Sequence, residues 1–551
     1  MEQLAWWQKT IVYEAYPKSF LDTEGAGTGT LQGIIQKLDY LASLGVGAIW
    51  LTPVYCSPMK DNGYDIANYY DIDPRFGTMD DMDQLIAEAE KRNIRIVMDL
   101  VMNHTSDENP WFIESSSSKE SEKSNWYIWQ DAKEDGSEPT NWRGVFGGST
   151  WTWCESRRQY YYHTFAEFQP DLNWECEEMR RELYRMARFW LDKGLGGFRI
   201  DAVVYIKKRP FEDAVPDTPD SMADITLLGS NIPGILDFLN EFKHEVMDGY
   251  DAFTVAEANG VKPEELPDWV GDTGVFDMLF EFNHMDVAMG KNGAWYKPAR
   301  WKLPDLTSAL TASQTATAQN GWYPIYFENH DQARAVSQFF PRAVNTTAAS
   351  KMFGCVLMTL RGTPFLYQGE ELGYLNVAWS SIDCYDDVSS YNQYDLALQA
   401  GKTEEQALAC VHLHSRDNAR TPMQWDASEN AGFTTGTPWL PIHDDYQTCN
   451  VEVQSTNPNS VLEWYRSLAQ LREDLPVLIE GDYEELLPGD EHIYAFSRTN
   501  GSEKAVILAN FAERFVPYDT TLAEGLTVAL STHGNHTPGS LQPFEAVIWR
   551  N

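Results

Sequence analysis

Short apolar runs with strand-forming composition recur along the first two thirds of the chain, at residues 11–16, 48–53, 95–101, 197–201, 253–257, 275–282, 324–330 and 363–367. Most are separated by longer segments whose apolar positions return every three or four residues, the spacing of one helix face. Residues 31–44, 79–92 and 179–193 are of this kind. Strands alternating with helices predict an α/β fold, a parallel (β/α)8 TIM barrel. An open doubly wound sheet would need an early glycine-rich dinucleotide fingerprint, and the sequence has none.

Two gaps are longer than ordinary βα loops. Residues 104–172, after the third strand, are rich in Trp, Tyr, Ser and Gly and read as a small inserted domain. Residues 373–447, after the eighth strand, form a second, polar insertion. Beyond Leu475 the helical period stops. Short strands at 492–497, 504–510 and 545–549 then predict a C-terminal antiparallel β-sandwich over residues 476–551. The barrel is left with residues 1–103 and 173–475.

Composition narrows the function. A chain of 551 residues is too long for one core and implies two or three domains. A net charge of −40 argues against nucleic acid and anionic membrane as partners, since both need basic patches. The 20 Trp and 27 Tyr exceed what a core requires and suit an aromatic-lined sugar cleft. The seven cysteines are scattered without a CxxC pair, as in a cytoplasmic protein with free thiols. The first seven residues lack a basic or apolar leader pattern, and no apolar run reaches membrane-spanning length. The charge favours a neutral or cationic ligand instead.

The chemistry sits at the strand ends, where barrel enzymes carry their working groups. They read Asp99 with Asn103-His104, Arg199 with Asp201, Glu257, and His330-Asp331. Residues two apart on a strand share a face, so Arg199 projects beside Asp201 and keeps it ionised, as a nucleophile requires. Glu257 ends the apolar run Phe253-Thr254-Val255-Ala256, where burial would raise its pKa toward acid work. Three carboxylates on separate strands are costly to bury, so their recurrence favours catalysis over structure. Two of them are the requirement of retaining glycoside hydrolysis, one ionised as nucleophile and one protonated as acid. The histidines show no HxH or HxxxH spacing, which points away from a metal centre.

The segments Asp99-Leu-Val-Met-Asn-His104, Gly197-Phe-Arg-Ile-Asp201, Glu257 and Phe327-Glu-Asn-His-Asp331 resemble the four signature regions of the α-amylase family, glycoside hydrolase family 13. Asn62-Gly-Tyr-Asp65, Gln169-Pro-Asp-Leu-Asn173, the segment 363–370 and the segment 416–425 are similar to its α-glucosidase and oligo-1,6-glucosidase branch. The resemblance implies Asp201 as nucleophile, Glu257 as acid/base and Asp331 as transition-state stabiliser, with no cofactor. The partner it implies is a small oligosaccharide or disaccharide, with the protein a monomer or weak homo-oligomer. It implies a terminal-glucose pocket lined by Asp61, Tyr64, His104, Arg199, His330 and Arg420. An Asp61–Arg420 pair would make the enzyme exo-acting, with Arg416 the competing arginine. Phe165 and Phe282 are candidate aromatic walls.

The chain departs from that family pattern twice. Relatives carry a calcium loop, Asp-x-Asn-x-Asp-x-x-x-Asp, where this chain has Asp22, Glu24, Ala26, Thr28 and Thr30 at alternate positions. Loss of two carboxylates implies a weak or empty site and no metal. After the nucleophile, relatives that prefer α-1,6 bonds have Val, whereas this chain has Ala202, followed by Ala258-Asn259 after the acid/base. The resemblance then implies α-1,4 substrates such as maltose, with α-1,6 cleavage as the alternative. Sucrose isomerases resemble the chain but have an arginine-rich segment where residues 280–286 here carry none. A trehalose-6-phosphate hydrolase would need a basic phosphate pocket that the sequence does not reveal. A non-catalytic transporter-associated relative would have a membrane helix and usually lacks part of the carboxylate trio.

Overall fold

The computed structural model describes residues 4–217, 221–271, 273–289, 293–297 and 299–551. Eight strands answer the eight predicted runs: β1 (Ile11–Ala15), β2 (Val46–Leu51), β3 (Arg95–Val101), β4 (Gly197–Asp201), β5 (Phe253–Glu257), β6 (Met278–Phe280), β7 (Pro324–Ile325) and β8 (Thr363–Tyr367). They form one sheet in the order β6-β5-β4-β3-β2-β1-β8-β7, a nearly closed parallel barrel. Strands β1, β4 and β8 are buried at every position, as expected of strands covered on both faces.

Two predicted strands are cut short for local reasons. The run 275–282 keeps only Met278–Phe280, because Phe282 turns into the left-handed region at φ 66°. The run 324–330 keeps only Pro324–Ile325. Beyond it the Glu328 carboxylate accepts from the Ala335 amide at 2.8 Å and pairs with Arg334 at 2.8 Å, which holds the backbone in a loop.

The chain divides into two compact units. One comprises residues 50–87 and 95–281. Within it, β4 begins at Gly197, where a Cβ would lie 1.9 Å from the Phe253 carbonyl oxygen, so only glycine lets β4 and β5 approach. Helix Glu177–Leu191 follows the expected period and buries Met179, Leu183, Met186, Ala187 and Trp190. The inserted segment holds a helix, Pro110–Ser117, a strand, Trp142–Arg143, and a three-stranded antiparallel sheet of Trp129–Gln130, Trp151–Cys154 and Gln159–Tyr162. Its core of Ile128, Trp142, Trp151 and Tyr162 also takes in Ala223 and Ile225 from beyond β4.

The other unit comprises residues 1–49, 88–94 and 282–551. After β8, helices Val388–Gln399 and Glu404–His414 fill the second insertion. Trp295, Val377 and Tyr385 cluster with Val411 of the second helix. The C-terminal antiparallel sheet has five strands, β9 (Asp482–Glu485), β10 (Ile493–Asn500), β11 (Glu503–Asn510), β12 (Thr527–Ser531) and β13 (Ala546–Arg550). A two-stranded ladder, Val516–Pro517 with Ser540–Leu541, supplies Val516 and Leu541 to the same apolar core. Among the described residues, no helix is long and apolar enough to cross a membrane.

Candidate active site

In the unit containing β3, β4 and β5, one guanidinium organises three carboxylates. Register pairs Arg199 with Asp99 across β3 and with Val255 across β5. The side chains of Arg199, Asp201 and Asp99 therefore share one face. Arg199 Nη1 donates to Asp99 Oδ1 at 2.9 Å and to Asp201 Oδ1 at 2.9 Å, while Nη2 donates to Glu257 Oε2. Asp99 is fully buried and also accepts from Trp50 Nε1 at 3.2 Å and Tyr64 Oη at 2.9 Å. Burial works against the charge of Arg199, but Asp99 and Glu257 outweigh it and hold the guanidinium protonated. Glu257 does not have the apolar setting that its sequence neighbours predict. Its side chain is 19% exposed and lies against Arg199, because β5 ends in register with β4.

His104 lies buried beside this group. Asn103 Nδ2 donates to its Nδ1 at 3.2 Å, so the ring proton sits on Nε2 and donates to the Tyr64 carbonyl at 3.1 Å. Burial lowers its pKa to about 4, so His104 is a neutral hydrogen-bonding group. Asp61 is buried and accepts from Gln169 Nε2 at 2.9 Å. Its turn is shaped by Asp65, which accepts from the Asp61 and Lys60 amides, each at 3.0 Å. Phe165 faces the His104 ring at 5.1 Å and Tyr205 at 5.7 Å, a position suited to an aromatic wall. Lys208 ties three segments together. Its Nζ donates to Asp171 Oδ2 at 2.5 Å, to Asn103 Oδ1 at 3.0 Å and to the Tyr205 carbonyl.

Ala202, directly after Asp201, adopts φ 46° and ψ 36°. Its side chain therefore does not continue the in–out alternation of β4.

The other unit gathers a second set of groups around Asp331. Arg420 Nη2 donates to Asp331 Oδ1 at 2.7 Å and its Nε to the His330 carbonyl at 2.9 Å. Arg416 Nη1 reaches the same Oδ1 at 3.2 Å, anchored by Asp387 at 2.7 Å. The alternatives Arg416 and Arg420 are thus both used on Asp331. Burial would raise the pKa of Asp331, but His330, Arg416 and Arg420 hold it well below the usual carboxylate range. The side chain is one third exposed, open enough to meet a ligand. Phe282 is buried with its ring edge-on to Tyr326 at 5.8 Å, a packing contact within this unit.

The loop after β1 does not fit a hard divalent cation. Asp22 Oδ1 accepts from the Glu24 and Gly25 amides at 2.8 and 3.0 Å. Its Oδ2 accepts from Gly27 N at 2.7 Å and Thr434 Oγ1 at 2.5 Å. Thr30 caps the following helix through Gly33 N. A cation needs six to eight oxygens with free lone pairs, and here the one buried carboxylate is spent on closing the turn. Titration calorimetry with calcium is expected to give no binding tighter than millimolar, and EDTA to leave the heat-inactivation temperature unchanged. Micromolar affinity would contradict this reading of the loop.

Several contributors escape a motif search. Lys208 sits in the pair Lys207-Lys208, which reads as a solvated surface. Asp387, anchor of Arg416, lies in a loop of the insertion that carries no recognisable pattern. Glu14 offered a signal, a carboxylate inside the apolar strand Ile11-Val12-Tyr13-Glu14-Ala15.

Residues 14–481 match the family model of the α-amylase catalytic domain. The oligo-1,6-glucosidase of Parageobacillus thermoglucosidasius is 44% identical over 92% of this chain and 91% of its own length. The trehalose-6-phosphate hydrolase of Bacillus subtilis is 40% identical over 100% and 99%. Among solved structures, isomaltulose synthase of Klebsiella sp. LX3 superposes with a TM-score of 0.94 at 38% identity, covering both chains entirely.

Proposed function

Since the chain belongs to the α-amylase family and is a glycoside hydrolase of the α-glucosidase type, we propose that it is a retaining, exo-acting enzyme releasing glucose from short α-1,6-linked oligosaccharides. Asp201 attacks the anomeric carbon while Glu257 protonates the departing glycosidic oxygen. A covalent glucosyl ester forms on Asp201. Glu257, now a carboxylate, takes a proton from water, which cleaves the ester with net retention. By resemblance to the family, Asp331 is the transition-state stabiliser, and His330, His104, Asp61 and Tyr64 are carried over as groups that bind hydroxyls of the terminal glucose.

The observation that carries the mechanism is the Arg199 fork, with Asp201 on one nitrogen and Glu257 on the other. Retaining enzymes keep their carboxyl groups about 5–5.5 Å apart, and sharing one guanidinium supports that close spacing over the wider inverting one. The seven thiols, none in a disulfide, support a cytoplasmic setting.

The α-1,4 preference inferred from Ala202 is not supported, since relatives named oligo-1,6-glucosidase match 92% or more of the chain. One side chain of that size separates substrates by only about 1–3 kcal/mol. Ala202 also sits on left-handed backbone, where its bulk does not project as a strand residue would. The purified enzyme is expected to show higher kcat/KM on isomaltose than on maltose, and NMR of the first product is expected to show α-glucose. A maltose preference would restore the α-1,4 reading. Release of β-glucose would remove the retaining mechanism.

A further inference from the structure

His330 is held between two carboxylates from different segments. Glu14, the fourth residue of β1, is 1% exposed on a strand buried at every position. Its Oε1 lies 2.6 Å from His330 Nδ1 and 3.3 Å from the His330 backbone nitrogen. On the far side of the ring, Nε2 lies 3.2 Å from Asp331 Oδ2. A neutral imidazole has one N–H and one bare nitrogen, and a bare nitrogen against a carboxylate oxygen repels. Both nitrogens face carboxylates here, so both carry hydrogen.

We propose that Glu14 is a positioning residue for glycoside hydrolysis, fixing His330 as an imidazolium that aims its Nε2–H at Asp331 and at the bound sugar. The proposal rests on the reading that Asp331 works on the substrate. The glutamate contributes charge, and an amide at position 14 would meet Nδ1 without stabilising the cation.

The neighbours of His330 bear on its titration in both directions. Asp331 and Glu14 favour the charged ring, whereas burial opposes it. Arg420 lies on its carbonyl, and Arg416 reaches it through Asp331. Both arginines are matched by carboxylates, Asp331 and Asp387. Tyr16 stacks at 6.3 Å with its hydroxyl kept neutral by burial, and so is that of Tyr367 on β8. The balance raises the His330 pKa to about 9. The charged ring is therefore present below that pH and lost as pH rises through it. Removing the Glu14 charge lowers that pH by about 1–3 units.

The test compares wild type, Glu14→Gln and Glu14→Asp by kcat/KM from pH 5 to 10 on 4-nitrophenyl α-glucoside. The same proteins are followed by NMR titration of the histidine rings, with His330 assigned by its loss in His330→Gln. In Glu14→Gln the alkaline limb is expected to move down by at least about one pH unit. Activity at pH 5.5 stays within about threefold, and at pH 8 it falls by about twofold for a one-unit shift and about tenfold for a two-unit shift. Glu14→Asp restores most of the alkaline limb. An unmoved alkaline limb in Glu14→Gln overturns the proposal. So does a wild-type His330 ring that titrates at or below the ordinary histidine range, a result independent of whether either variant folds. If no α-glucoside is hydrolysed, the proposed function fails while the ring titration still reports on Glu14.

Discussion

Asp201→Asn is expected to lower kcat on every α-glucoside the enzyme cleaves by about 10⁴-fold or more. The amide is nearly isosteric with the carboxylate, and its oxygen still accepts from Arg199 Nη1, which lies 2.9 Å from Asp201 Oδ1. What is lost is the anionic oxygen proposed to bond to the anomeric carbon. Because the fold sees almost no change, circular dichroism and the heat-inactivation temperature should match wild type within a few degrees. Turnover within tenfold of wild type would overturn the assignment of Asp201 and with it the covalent mechanism.

Arg199→Ala should show the opposite profile, with fold and activity failing together. The guanidinium is 3% exposed and serves Asp99, Asp201 and Glu257 at once. Its removal takes the shared cation from three neighbouring carboxylates, and stranding a buried charge costs about 3–5 kcal/mol. The carboxylates would have to take up protons or water, which disarms a nucleophile that must stay ionised. The expected result is a loss in kcat/KM of about 10³-fold with much faster heat inactivation. Arg199→Lys should recover part of the stability and little of the rate. An ammonium keeps the charge but has no planar fork to hold two carboxylates side by side. An alanine variant with wild-type thermal resistance would mean that the three carboxylates do not depend on Arg199.

The sequence revealed most where residue type and spacing act locally. Barrel strands are short apolar runs, and Asp201 and Glu257 end two of them, so both could be located from alternation and strand ends alone, whereas Asp331 lies in the loop beyond β7. The family resemblance supplied their roles. What escaped was set by contacts across long stretches of chain. Asp387 and Arg416 meet through an insertion loop, and Lys208 reaches Asp171 and Asn103 from the far side of β4. The environment of Glu257 was misread because its neighbours in sequence are apolar while its neighbour in space is Arg199. Linkage preference was least legible because a residue letter carries no backbone angle, and Ala202 owes its orientation to φ 46°.

The burial of Glu14 also bears on how the chain is made. Its partner His330 follows 316 residues later. At about 5–20 residues per second, synthesis leaves that carboxylate without its imidazolium for about 15–60 s. Tyr13, beside it on β1, waits longer still for Glu371, 358 residues away. The first strand therefore cannot settle in its final surroundings while the nascent chain is short. An N-terminal fragment ending before His330 is a poor candidate for independent folding, and the emerging polypeptide depends on late-arriving segments to bury what it made first.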